Sequence, residues 1–180
     1  MPFLTSLSDD AKLAELFRLR PGYYSPLLRF LQQVMRGESE LTAGEREMIA
    51  AYVSSLNGCD YCEGGHRAAA IALGVDEQAF DSLRGGIPGA RVSEKLKPAL
   101  AFVYKLTRAP REVSWLDAEA VLAAGWSETT LSDVVHVCAL FNLFNRLVEG
   151  HGIVGIPEQY HTRGALHAQE GYVGQYRDAD

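Results

Sequence analysis

Two thiols and an imidazole lie within one short stretch of this chain, and their spacing suits redox chemistry. Cys59 and Cys62 form a Cys-x-x-Cys pair, and His66 follows four residues after the second thiol. On a helix, spacings of three, four and seven residues bring side chains to the same face. The pKa of a cysteine thiol falls near a helix N-terminus, beside a histidine, or within a Cys-x-x-Cys pair. We therefore predict a redox-active dithiol with His66 beside it.

Glu47, twelve residues before Cys59, is the second half of the predicted site. Asn57-Gly58 separates two predicted helices, and if these fold back on each other, Glu47 and His66 each lie roughly 12 to 15 Å from the turn. The two side chains can then face one another. A carboxylate fixes the tautomer of an imidazole and raises its basicity, so His66 could accept a proton from Cys62. Glu47, His66 and Cys62 are thus a predicted proton relay.

The surrounding sequence is typical of an all-α fold, with the Cys-x-x-Cys at the start of a helix. Thr42 to Glu45 reads as a capping box, Ser25 before Pro26 as an N-cap, and Ser127 as the N-cap of the longest helix. No stretch alternates apolar and polar residues as a strand would. The segment from His151 onward has little periodicity, and we expect it either to pack on a partner or to fray.

Length, charge and composition limit the remaining possibilities. A chain of 180 residues fits a single domain, and we predict one domain over residues 1–180. The formal net charge of -6, with no basic run interleaved with aromatic residues, argues against a nucleic-acid partner. No apolar run of the roughly 18 to 20 residues needed to span a bilayer is evident, and no signal-peptide pattern opens the chain. We expect a cytoplasmic protein with no membrane partner.

A zinc site is the main structural alternative to redox catalysis. Two cysteines and His66 could supply three of four zinc ligands, but no second Cys-x-x-Cys or His-x-x-x-His completes the set. Such a protein would not be an enzyme: its dithiol would bind zinc or report redox state to a partner. Cys138 lies in an apolar run and is expected to be a buried small hydrophobe. We predict neither a metal nor a bound cofactor.

We expect structural roles for the remaining polar side chains, and two explanations remain open for a pair of glycines. Asn142, Asn145 and Arg146 are expected to satisfy buried polar groups or to form subunit contacts, and His167 is not placed in a metal cluster. Gly64-Gly65 lies inside the predicted helix, where each glycine costs about 1 kcal/mol relative to alanine. Either the close approach of another helix or subunit, or an open space for substrate beside Cys62, would explain the glycines.

The chain resembles the AhpD-like alkylhydroperoxidases of the carboxymuconolactone decarboxylase superfamily. The shared pattern is a glutamate, eleven intervening residues, Cys-x-x-Cys, three residues and a histidine, matched by Glu47, Cys59, Cys62 and His66. The well-studied peroxidases of the family carry a histidine just before the second cysteine, whereas this chain has Tyr61. At this position the chain resembles a subgroup of the family that is described only as peroxidase-related.

The resemblance implies an all-helical fold, assembly into a homo-oligomer (trimer or hexamer), and reduction of a hydroperoxide substrate by cysteine chemistry. Cys62 would be the thiol that attacks the peroxide and becomes a sulfenic acid, and Cys59 the partner that closes the disulfide. Glu47 and His66 would be the proton relay. An external dithiol, such as a thioredoxin-like protein, would reduce the disulfide. A lactone decarboxylase of the same superfamily is a further alternative, although those enzymes do not depend on a Cys-x-x-Cys pair.

Overall fold

The computed structural model describes residues 1–173, and the regular structure within that range is helical. The predicted all-α fold class is therefore confirmed. The α-helices, in chain order, are α1 (Leu13–Leu19), α2 (Pro21–Arg36), α3 (Ala43–Asn57), α4 (Asp60–Ala72), α5 (Glu77–Arg84), α6 (Leu96–Arg108), α7 (Trp115–Ala123), α8 (Glu128–Gly150) and α9 (Pro157–Glu170).

The helix boundaries next to the dithiol follow from local capping chemistry. The Thr42 hydroxyl accepts from the backbone N–H of Glu45, and the Glu45 carboxylate accepts from the backbone N–H of Thr42, so the predicted capping box opens α3. Gly58 ends α3 with φ of 70°, in the left-handed region that suits glycine. Cys59 is then the N-cap of α4, as the sequence predicts.

The expected start of α2 is wrong. The helix begins at Pro21, with Arg20 as its N-cap, and Pro26 lies inside it. Proline is favoured at the first helical position because its missing N–H has no partner there in any case. Pro21 meets that condition four residues before Ser25, whose hydroxyl instead accepts a hydrogen bond from Arg29 at 2.9 Å.

The core forms where α3 and α4 fold back on each other and pack against α8 and α9. Buried side chains of α3, including Met48, Ile49 and Val53, face α6 and α8. The helix α8 has 23 residues and a mean hydropathy of 1.3 over 18 of them, so by length and composition alone it could cross a membrane. The sequence was expected to contain no such apolar run. Within the protein 44% of that apolar window is buried.

Much of the segment from His151 onward is helical, which corrects the expectation that this part of it frays. Residues 157–170 form α9, and this helix packs along α4, the helix that carries the dithiol. Apolar periodicity does not reveal α9, because its contact surface includes a glycine, an arginine, a tyrosine and a histidine rather than an apolar stripe. The last residues of the sequence, 174–180, lie outside the described range.

Packing of α9 explains Gly64-Gly65. A Cβ atom built at Gly64 would overlap the ring of Tyr160, and one at Gly65 would overlap the guanidinium of Arg163. The reverse contact also holds, because a Cβ at Gly164 would overlap Ala68 on α4. Of the two explanations left open by the sequence, the close approach of another helix is the one observed.

Gly64→Ala is expected to destabilise the fold. Overpacking of a fitted contact typically costs 1–3 kcal/mol, which outweighs a gain in helix propensity of about 1 kcal/mol. Urea unfolding should show a lower midpoint for this variant. Gly150→Ala is the matched control, since it is also a helical glycine but has open space around its Cβ position. An equal or higher midpoint for Gly64→Ala would contradict the α4 to α9 contact.

Candidate active site

Both thiols of the Cys-x-x-Cys pair lie at the N-terminus of α4 and are buried. Cys59 is 0% exposed and Cys62 3% exposed, and neither is in a disulfide. Positions in the first turn of a helix lower the pKa of a thiol, because the helix dipole favours negative charge there. The structure thus places the dithiol where the sequence predicts it, in the reduced form.

The two thiols have different proton affinities. A hydrogen bond from Cys59 is the main cause of a lowered pKa at Cys62, where burial acts in the opposite direction, and Asn145 and the charge of Arg163 lower it further. The pKa of Cys59 is raised because this thiol donates to Cys62 and is itself buried. Of the pair, Cys62 therefore forms the thiolate more readily, and Cys59 retains its proton.

Asn145 on α8 is a site residue to which sequence analysis gave only a structural role. Its side chain is 1% exposed and interacts with Cys62. The amide donates to Ser54 Oγ at 3.0 Å and accepts from Asn57 Nδ2 at 2.9 Å. These contacts fix the orientation of the amide. A signal was present in the sequence, because an asparagine on the buried face of an apolar helix requires polar partners.

Glu47 and His66 meet directly, on α3 and α4. Glu47 Oε2 lies 2.6 Å from His66 Nδ1, and the glutamate is 0% exposed. Burial raises the pKa of Glu47, but the charge and hydrogen bond of His66 and the charge of Arg36 outweigh it, giving a pKa of about 2. The ionised carboxylate accepts the Nδ1–H of His66. Nε2 is then the imidazole nitrogen left to exchange a proton.

Two more residues hold the other oxygen of Glu47. Arg36 Nη2 donates to Oε1 at 2.5 Å, and the Tyr172 hydroxyl donates to the same atom at 2.7 Å. Tyr172 also lies 3.4 Å from His66 Nδ1 and is 2% exposed. Sequence analysis missed both residues, and no local spacing relates residue 36 or 172 to Glu47.

His167 on α9 completes the surroundings of the imidazole. Its ring stacks on that of His66, with centroids 5.5 Å apart and an interplanar angle of 7°. Burial, followed by the charges nearby, lowers the pKa of His167 from its ordinary value of 6.5 to about 3. His167 is therefore neutral at physiological pH. A further positive charge so close to Arg36 and Arg163 would be unfavourable.

A small cavity of about 30 Å³ lies against Cys62 and His66. Its walls are mainly aromatic and apolar side chains, with a few polar groups, and come from five helices and one residue after α9: Leu13, Phe17, Leu28, Leu31, Tyr61, Phe141, Phe144, Arg163, His167 and Tyr172. A space of this size holds about one or two water molecules. It therefore suits a group of two oxygen atoms and excludes a large substituent.

Cys138 lies apart from this site. It is 0% exposed, lies 3.3 Å from Thr107 Oγ1, and has a pKa raised by burial. These are the properties of the small core residue that the sequence predicts. Among residues 1–173, no group of three or more His, Cys, Asp or Glu side chains is arranged to hold a metal ion.

His167 should make stability sensitive to acid. The unfolded chain binds a proton at this residue near pH 6.5 and the folded chain only near pH 3, so stability falls as the pH falls between these values. The slope is at most about 1.4 kcal/mol per pH unit for one proton. Glu47 adds a loss only below about pH 4.5, toward its folded pKa of about 2.

We expect His167→Gln to flatten the decline in unfolding free energy between pH 6.5 and pH 5, measured by urea titration. His161→Gln, an exposed histidine on the same helix, is the control and should keep the wild-type slope. A wild-type slope in His167→Gln would show that another group causes the acid sensitivity.

Comparison with known proteins agrees with this architecture. A model of the carboxymuconolactone decarboxylase family matches residues 21–88, which include Glu47, Cys59, Cys62 and His66. Among curated proteins, none matches the chain.

Two solved structures share the fold over most of its length. One is an uncharacterized peroxidase-related protein from Silicibacter sp. TM1040, with 30% sequence identity, 84% of this chain and 79% of that chain covered, and a TM-score of 0.76. The other is described as an alkylhydroperoxidase AhpD core, an uncharacterized peroxidase-related protein from Ralstonia eutropha JMP134. It has 26% identity, covers 82% of this chain and 77% of that chain, and has a TM-score of 0.73. The chain therefore belongs to the AhpD-like proteins of the carboxymuconolactone decarboxylase superfamily.

Proposed function

We propose that this protein is a cysteine-based peroxidase that reduces hydroperoxides through Cys62 and Cys59. The observation that carries the proposal is the pairing of a lowered pKa at Cys62 with a retained proton at Cys59, beside a histidine bound to an ionised glutamate. A thiolate is the nucleophile, and a neighbouring protonated thiol can then resolve the product. Peroxidase-related neighbours of the same fold add support.

In the first step, Cys62 Sγ attacks the terminal oxygen of the hydroperoxide. A sulfur–oxygen bond forms, the oxygen–oxygen bond breaks, and Cys62 is oxidised to a sulfenic acid. The other oxygen leaves as an alkoxide and needs a proton. His66 can supply the proton that it took from the Cys62 thiol, because Glu47 accepts its Nδ1–H and leaves Nε2 to exchange protons.

In the second step, Cys59 attacks the oxidised sulfur of Cys62. A disulfide forms, the sulfur–oxygen bond breaks, and water leaves with the proton of Cys59. An external dithiol, such as a thioredoxin-like protein, then returns two electrons and two protons. We place this cycle in the reducing cytoplasm, in a homo-oligomer, and without a bound cofactor.

The zinc-binding and sensor alternative has less support. A fourth ligand is needed beside Cys59, Cys62 and His66, and within residues 1–173 no group of three or more His, Cys, Asp or Glu side chains is arranged to hold a metal ion. The lactone decarboxylase alternative leaves the unequal pKa values of the dithiol without a role.

Cys62→Ser is expected to abolish consumption of a small organic hydroperoxide by the reduced protein. Cys59→Ser should still react once and accumulate a Cys62 sulfenic acid, which dimedone traps for mass spectrometry. Glu47→Gln should slow the reaction by 10²- to 10⁴-fold, the usual loss for a proton-transfer group. Cys138→Ser is the matched control and should react at the wild-type rate.

Consumption of hydroperoxide by Cys62→Ser at the wild-type rate would disprove the proposed nucleophile. Equal rates for wild-type protein and a free thiol would show that the dithiol serves another electron acceptor.

A further inference from the structure

Cys62 is only 3% exposed, yet substrate and reductant must both reach it. A second, larger cavity of about 470 Å³ lies between the start of α1 and α9. A volume in this range accommodates a small organic molecule. Tyr61 and Arg163 are the two residues that line both this outer cleft and the inner cavity at Cys62. Their side chains are therefore the wall between the two spaces.

Arg163 is held by two aromatic rings and one hydrogen bond. Its guanidinium lies 3.9 Å from the centroid of the Tyr61 ring and 5.5 Å from that of the Tyr160 ring, and it donates to the Tyr61 carbonyl oxygen. The buried Nε has no hydrogen-bond partner among residues 1–173. Tyr61 is better fixed, because its hydroxyl accepts from the backbone N–H of Leu13 at 3.2 Å. Arg163 is thus the movable half of the wall.

The outer cleft offers Arg163 an alternative position. Carboxylates of Asp10, Glu158 and Glu170 line the cleft, and each can pair with a guanidinium that turns outward. Val154, Ile156 and Leu166 supply apolar surface in the same cleft. An outward turn of Arg163 would join the cleft to the inner cavity without moving a helix.

We propose that Arg163, stacked on Tyr61, is a size-selective gate that determines which molecules reach Cys62. With the gate closed, only a molecule of about the size of hydrogen peroxide fits the inner cavity. With the gate open, the organic part of a larger hydroperoxide occupies the outer cleft while its peroxide group reaches Cys62. This selectivity deepens the proposed function and rests on it, but the gate itself is testable without peroxide chemistry.

Thiol labelling measures the gate directly. Reduced protein is treated with iodoacetamide or with a fluorescein-bearing iodoacetamide, and modification of Cys62 is followed by mass spectrometry. Both reagents carry the same reactive group, so the ratio of the bulky to the small rate cancels any change in the thiolate fraction. We expect Arg163→Ala to raise this ratio at least about tenfold, equivalent to removing a barrier of roughly 1.4 kcal/mol.

Gly65→Ala is a second variant that keeps the guanidinium. Its new Cβ would occupy the space of the Arg163 head group, which lies at the end of a flexible side chain and can move away. The ratio should rise in this variant as well. Gln159→Ala is the matched control, because Gln159 lines the outer cleft but not the inner cavity. Labelling of buried Cys138 reports any general loosening of the fold.

The gate is disproved if the ratio of bulky to small labelling rates at Cys62 stays within twofold of wild type in Gly65→Ala while Cys138 remains unlabelled. An equal rise in Gln159→Ala would also disprove it. The ratio of cumene hydroperoxide to hydrogen peroxide turnover should change in parallel with the labelling ratio. A labelling change without peroxide turnover in any variant would keep the gate and reject the proposed function. Peroxide turnover with no change in labelling would support the proposed function and reject the gate.

Discussion

The buried charge of Glu47 is the constraint on which the site depends. An ionised carboxylate with no exposed surface is stable only if several hydrogen bonds and opposite charges replace its water. Its partners come from α2 (Arg36), α4 (His66) and the residues after α9 (Tyr172). Three distant parts of the chain must therefore converge before the carboxylate can be buried in its charged form.

That convergence explains why α9 lies against α4. Arg36 also donates to the backbone carbonyl of His167 at 2.8 Å, so the cation that compensates Glu47 also anchors α9. The glycines of α4 allow this helix to approach closely enough for His167 to stack on His66. Polar compensation and close packing thus support the same arrangement.

Sequence reasoning predicted the local half of this site. The Glu47 and His66 pair follows from helical spacing about the Asn57-Gly58 turn, since both helices and the turn are encoded by nearby residues. Asn145, His167 and Tyr172 were not predicted as site residues, because their contacts span long separations that no periodicity encodes. Arg36 lies only 11 residues before Glu47, but the angle at which α2 meets α3 is not encoded by periodicity either. The helix α9 was missed for a related reason: its contact surface uses glycine, arginine and tyrosine rather than an apolar stripe. Tyr61 stands where the well-studied peroxidases of the family carry a histidine. Its contact with Arg163 was likewise not predicted, because that contact joins α4 to α9.

Docking of α9 also links the accessibility of the dithiol to its reactivity. Native proteins open locally in cooperative units, and a terminal helix that packs through few apolar residues is a natural unit of this kind. If α9 undocks, Cys62 becomes open to solvent, but it loses the nearby charge of Arg163, and Glu47 loses the hydroxyl of Tyr172. Exposure also removes the burial that raises the pKa of this thiol, which acts against the loss of Arg163. Transient undocking of α9 would thus expose Cys62 to oxidants outside the arrangement that surrounds it in the docked form, and the contacts of α9 limit how often that happens.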